Sequence, residues 1–146
     1  MTVIATMILS ACSKGPSAAY KEFALKANNK DWTGVYDALS VKSQDQINAQ
    51  AAILNQLSAI GDAFDDETEK KAKKPKGPTI KGKDLFVKLM TEDENAQHSP
   101  FFGEVVKEKI SGDDATVTIK NSSGKEQSIA MVKESQKWKV VFPNME

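Results

Sequence analysis

Arginine is absent from this 146-residue chain, and all 20 of its basic residues are lysine. Guanidinium is the usual group for a bidentate grip on phosphate, carboxylate or guanine edges. Its absence weighs against sequence-specific nucleic-acid reading and against an arginine clamp on an acidic ligand. Codon bias in the source genome explains the absence as well as selection does, and the missing chemistry is the same either way. The 20 acidic residues cancel the lysines, so no whole-chain field favours nucleic acid or acidic substrates. A single cysteine, Cys12, excludes an intramolecular disulfide, and stability must come from packing. A single histidine, His98, gives a metal site or a hydrolase triad little to work with. The eight glycines are scattered through turns and form no phosphate loop. The carboxylate runs Asp65-Asp66-Glu67 and Glu92-Asp93-Glu94 lack the glycine and alternation of a calcium loop. Long apolar runs are also missing. Val3 to Leu9 is far short of the roughly 20 residues that span a bilayer.

That short apolar run suits the core of a signal peptide, and it ends in Leu9-Ser10-Ala11-Cys12. The four residues resemble the lipobox of bacterial lipoproteins. The resemblance implies cleavage between Ala11 and Cys12 and lipidation of Cys12, which then becomes the mature N-terminus and enters the bilayer. The polar tract Ser13-Lys14-Gly15-Pro16-Ser17 follows at once, as a tether would. Ser13, in place of aspartate, implies an outer-membrane address in a two-membrane envelope. One feature departs from the pattern: no Lys or Arg lies between Met1 and Cys12. Either the true start lies upstream, or the N-terminal amine alone supplies the charge. The competing reading is an ordinary apolar start with an incidental buried cysteine.

The expected organisation is therefore a signal peptide over 1–11, a lipidated cysteine and tether over 12–17, and one domain over 18–146. Tyr20, Phe23, Ala24 and Ala27 recur at helical spacing between Pro16 and Asn28. Asp31 is placed to cap a short second helix with Trp32, Val35, Tyr36 and Leu39 inward. Ser43 and Gln46 read as a capping box opening a longer helix. Its Ile47, Ala51, Ile53, Leu54, Leu57, Ile60 and Phe64 cover more than one stripe, which predicts burial between partners. Five lysines between Lys70 and Lys76 read as a solvated helix end, with attraction to anionic lipid as the alternative. Pro75-Lys76-Gly77-Pro78 marks a loop. A fourth helix is expected from Gly82 to Asp93 with Leu85, Phe86 and Leu89 inward.

The last third changes to a period of two. Phe101 to Ile110, Ala115 to Lys120, Gln127 to Lys133 and Trp138 to Phe142 read as strands, separated by turns at Gly112, Gly124 and Ser135. Val117, Ile119, Ile129, Met131, Trp138 and Val140 share one face. Thr116, Thr118, Lys120, Ala130, Val132 and Val141 share the other, which either pairs two subunits in a homodimer or meets water. Helices followed by an antiparallel meander make an α+β fold, the helices covering the apolar face of a curved four-stranded sheet.

Ala19-Tyr20-Lys21-Glu22-Phe23, Trp32 with Tyr36, Gly112-Asp113-Asp114-Ala115-Thr116-Val117 and Trp138-Lys139-Val140-Val141 resemble the nuclear-transport-factor-2-like (cystatin-like) superfamily. The resemblance implies a cone-like domain in a family that includes ketosteroid isomerases, SnoaL-like cyclases and non-catalytic binders. Such enzymes need an ionisable base inside the apolar cone, and none stands out. His98 falls in a polar loop, and Asp31, Asp37 and Asp62 read as caps or exposed polar faces. No catalytic residue, metal or cofactor is expected. Trp32, Tyr36 and Trp138 are the candidates to line an apolar ligand pocket. The expectation is a non-enzymatic envelope lipoprotein that binds a small apolar ligand or an envelope protein. A SnoaL-like or isomerase-like enzyme and a purely structural surface lipoprotein are the alternatives.

Overall fold

The computed structural model describes residues 14–64, 79–94, 96 and 102–142, and for 59–64 the backbone alone. Ala11, Cys12, Ser13, Phe101, His98, the lysine run 70–76 and the side chains of Ile60, Asp62 and Phe64 lie outside the described residues. Four helices precede four strands: α1 (Pro16–Asn28), α2 (Trp32–Asp37), α3 (Val41–Phe64), α4 (Gly82–Glu92), β1 (Gly103–Ser111), β2 (Asp114–Asn121), β3 (Glu126–Glu134) and β4 (Lys137–Val140). The strands form one antiparallel sheet in the order β1-β2-β3-β4. The α+β architecture is the expected one, and the sheet is open rather than closed on itself.

Helix α1 opens with Pro16, whose ring fixes φ for a first turn. Its Tyr20, Phe23 and Ala27 are fully buried, as their spacing predicts. This face lies on β1, β2 and β4. Helix α2 is held at its start by Asp31, whose carboxylate accepts the Gly34 N–H at 2.9 Å. Trp32, Val35, Tyr36 and Leu39 are buried, also as expected.

Helix α3 corrects two expectations. It begins at Val41, and Ser40 rather than Ser43 is the capping hydroxyl, accepting the Ser43 N–H at 3.3 Å. The hydroxyls of Ser40 and Ser43 are 2.9 Å apart, and Ser43 Oγ accepts the Phe142 N–H at 2.9 Å. The serine is thus used three residues into the helix to hold the C-terminal strand. Second, among the described apolar side chains of this set only Ile47 and Ala51 are buried, whereas Ile53, Leu54 and Leu57 are 43–58% exposed. The packed partner α4 meets α3 near Asn48, where Gly82 comes close enough that a Cβ would strike the Asn48 backbone. At Asn55 the side-chain amide pairs with both backbone groups of Ile80 at 2.9 and 3.0 Å. Leu89 of α4 is likewise exposed rather than inward, because the helix turns Leu85, Phe86 and Met90 to the core.

The apolar sheet face carries Ala115, Val117, Ile119, Ile129, Met131 and Val140, all buried, with Trp138 half-buried beside them. Each fully buried aliphatic of this set contributes about 1.5–3 kcal/mol. Strand β1 starts at Gly103, later than expected, and Phe102 packs into the core against Phe23 with ring centres 5.5 Å apart. Gly103 is required there, since a Cβ would lie 2.4 Å from the Lys120 carbonyl oxygen. A bulge at Val106 shifts the β1 register, so that Lys107 faces Thr118 and Glu108 faces Val117.

The turns follow the strand twist. Gly112, at φ +64, opens the β1–β2 turn, as a type II′ turn needs. The β3–β4 turn places Ser135 at φ +47 and Gln136 at φ +64, the pattern of a type I′ turn built without glycine. Each non-glycine residue in that region costs about 1–2 kcal/mol. The double variant Ser135→Asn, Gln136→Gly should therefore raise the midpoint of chemical denaturation, by about 1–2 kcal/mol in all. An unchanged midpoint would show that the turn carries no such strain.

Candidate functional site

Trp32, Tyr36 and Trp138 are the residues expected to line a pocket. Trp32 and Tyr36 are 5% and 6% exposed within the core cluster, and Trp138 is half-buried at its edge. Tyr36 packs on Phe86 at 5.7 Å, and Phe86 meets Phe142 edge-on at 6.4 Å. The Tyr36 hydroxyl donates to Asn48 Oδ1 at 3.4 Å. Burial is the main cause that pushes the Tyr36 phenol up from its usual range. Lys83 lies 5.9 Å from the Tyr36 ring and donates to both Asp37 oxygens at 2.8 and 3.0 Å. Asp31 and Asp37 are thus a helix cap and an exposed ion-pair partner, the roles expected for them.

Among the described residues the buried polar side chains are Ser40 and Ser43. They satisfy each other and the backbone around them, and no buried side-chain nitrogen or oxygen there lacks a hydrogen bond. No group of three or more His, Cys, Asp or Glu side chains converges as a metal would require, again among the described residues.

A depression of about 410 Å³ lies on the opposite, outer face of the sheet. It is lined by Val106, Lys107, Thr118, Glu126, Gln127 and Ser128. Pairing places Lys107, Thr118 and Ser128 in one row across β1, β2 and β3, and Lys120 with Glu126 in the next. This face is the thread of Thr and Lys residues that alternation predicts.

Sequence reasoning overlooked two glutamates. The Glu108 carboxylate on β1 accepts the Ser17 N–H at 3.0 Å and the Ser17 hydroxyl. Both Glu134 oxygens accept the Val41 N–H at 3.1 Å. Each carboxylate meets the positive end of a helix, where negative charge is stabilising. Gly15, the local cap of α1, supplies no side chain, and that is the signal that a distant cap was needed. Glu134→Ala should lower stability by about 0.5–2 kcal/mol, the usual cost of a lost cap, read from the denaturation midpoint. A change within error would show that Glu134 does not cap α3.

Tyr20 links α1 to the sheet, its hydroxyl accepting the Gly103 N–H at 3.1 Å. Burial pushes its phenol up from 10.0 to about 12, with the Gly103 hydrogen bond a smaller opposing cause. Near the start of α1, the hydrogen bond from Lys14 is the main cause holding the exposed Glu22 carboxyl below its ordinary value.

No family model matches the chain, and no curated protein or solved structure matches it.

The Tyr20 shift has a definite sign in pH. The folded state holds the phenol proton more tightly than the unfolded chain, so this contribution is full below pH 10.0 and is lost as pH rises towards about 12. Ultraviolet titration should show one of the two tyrosines forming phenolate near pH 12, with stability falling over the same window. Tyr20→Phe should lessen that alkaline loss and cost about 1 kcal/mol at neutral pH through the unpaired Gly103 N–H. Two tyrosines titrating at their ordinary value would refute the burial.

Proposed function

We propose that this chain is a lipid-anchored protein of the bacterial envelope whose folded body acts without catalysis. In this reading the peptidase cuts between Ala11 and Cys12, and acylated Cys12 holds the chain on the bilayer. The stretch over 12–17 is the tether, and the domain over 18–146 is a nuclear-transport-factor-2-like cone facing the periplasm or the cell surface. It takes a small apolar ligand or an envelope protein as partner.

The observation that carries the reading is the order of Leu9-Ser10-Ala11-Cys12, a polar tract and a folded element beginning at Pro16. Helices followed by a four-stranded meander support the cone. More than one acyl chain makes anchoring stable, each buried methylene contributing about 0.8 kcal/mol. Among the described residues no helix is long and apolar enough to cross a membrane, so the acyl chains are the anchor this reading relies on. A purely structural role is the second reading, favoured by the packing of Trp32 and Tyr36 into the core.

Labelled palmitate should enter the wild-type protein and be lost in Cys12→Ser, and globomycin should leave the leader attached. A free thiol at Cys12, with the leader intact and the protein in the cytosol, overturns the proposal. Native mass spectrometry of the domain purified from its host separates the two roles. A co-purifying small molecule supports binding, and an intact domain without one supports the structural role.

A further inference from the structure

Among the described residues no strand pairs with the outer edge of β1, and that strand lies beside the first turn of α1. Ser17, in the first turn of α1, is hydrogen-bonded to Glu108 in the middle of β1. Only Ser13, Lys14 and Gly15 separate Cys12 from Pro16, and the four residue steps between them span about 14 Å at full extension. The segment of β1 around Glu108 is therefore confined to a shallow zone next to wherever Cys12 is held.

That segment carries side chains suited to a lipid surface. Ile110 shares the sheet face of Glu108, yet it is 52% exposed. Val106, pushed out by the bulge, is 49% exposed. Lys107 and Lys109 project to the outer face between them, and both are exposed. Glu108, the acidic residue within this stretch, is engaged by the first turn of α1. Two aliphatic side chains with two ammonium groups match the headgroup layer, where apolar atoms reach the acyl boundary and lysines meet phosphate. Ile53, Leu54 and Leu57 of α3 form another exposed apolar patch. That patch lies on a helix stretch without charge from Gln46 to Gly61, and no short tether begins there.

We propose that the β1 edge from Val106 to Ile110 is the side the domain turns to the phospholipid bilayer, with Val106 from the outer sheet face and Ile110 from the inner one among the headgroups and Lys107 and Lys109 over anionic phosphates. The inference rests on the lipid anchor at Cys12 and goes further, because it sets how the body stands on the membrane.

The test uses the full lipidated chain in vesicles of phosphatidylglycerol and phosphatidylethanolamine. Single cysteines replace Val106, Ile110, Leu57 or Gln136, each carrying an environment-sensitive fluorophore, while acylation blocks Cys12. Intact mass is read first, and circular dichroism confirms that each variant is folded. Headgroup spin-labelled lipid should quench the labels at 106 and 110 about threefold more than those at 57 and 136, since the headgroup layer is only about 5–8 Å deep. Acylated protein with equal quenching at all four positions, or with the strongest quenching at 57, overturns the orientation and leaves the anchor standing. A mass without acyl chains at Cys12 overturns both.

Discussion

The sheet has one apolar face, and α1 is the helix laid across it. Everything else in the domain is arranged around keeping that helix seated. The first turn of α1 is gripped by Glu108 from β1, and Tyr20 one turn later accepts the Gly103 N–H at the start of the same strand. Phe102, just before that strand, closes over Phe23. A helix held at two points along one strand cannot slide, and its buried face stays in register with Val117, Ile119, Ile129 and Met131. The same device recurs at α3, where Glu134 from β3 meets the first helical N–H. In both cases a strand carboxylate, desolvated little and aimed at a helix start, fixes an angle between layers that apolar contact alone leaves soft.

Much of this was readable from residue order. The 3.6-residue spacing of Tyr20, Phe23 and Ala27 and the alternation of Val117, Ile119, Ile129 and Met131 report which side chains share a face, and both elements formed as expected. Asp31 announced α2 because its capping bond is made three residues away. Glu108 and Glu134 gave no such sign, because they act on residues 91 and 93 positions distant. A pattern also cannot say whether a shared face finds a neighbour. Ile53, Leu54 and Leu57 keep helical spacing, yet they stay exposed, while Gly82 of α4 meets α3 at Asn48.

The candidate site was legible to a lesser degree. Aromatic residues at Trp32, Tyr36 and Trp138 fit a pocket wall and a packed core equally well, since burial of a ring is favourable in either setting. In three dimensions Trp32 and Tyr36 lie within the core cluster, and Trp138 packs against it. The lipobox reading belongs to a different kind of information. In the proposed reading a peptidase would recognise those residues as an extended strip, so the signal lies in local order rather than in the fold.

The two margins of the sheet are unlike. At β4, Val140 exchanges hydrogen bonds with Ala38 and Ser40, so that Leu39 forms a short parallel bridge beside it. The chain thereby covers this margin at Val140 with its own backbone, while among the described residues no strand pairs with the outer row of amides and carbonyls of β1. A strand approaching at Val140 meets backbone groups that are already bonded, so edge pairing with another chain is blocked at that residue.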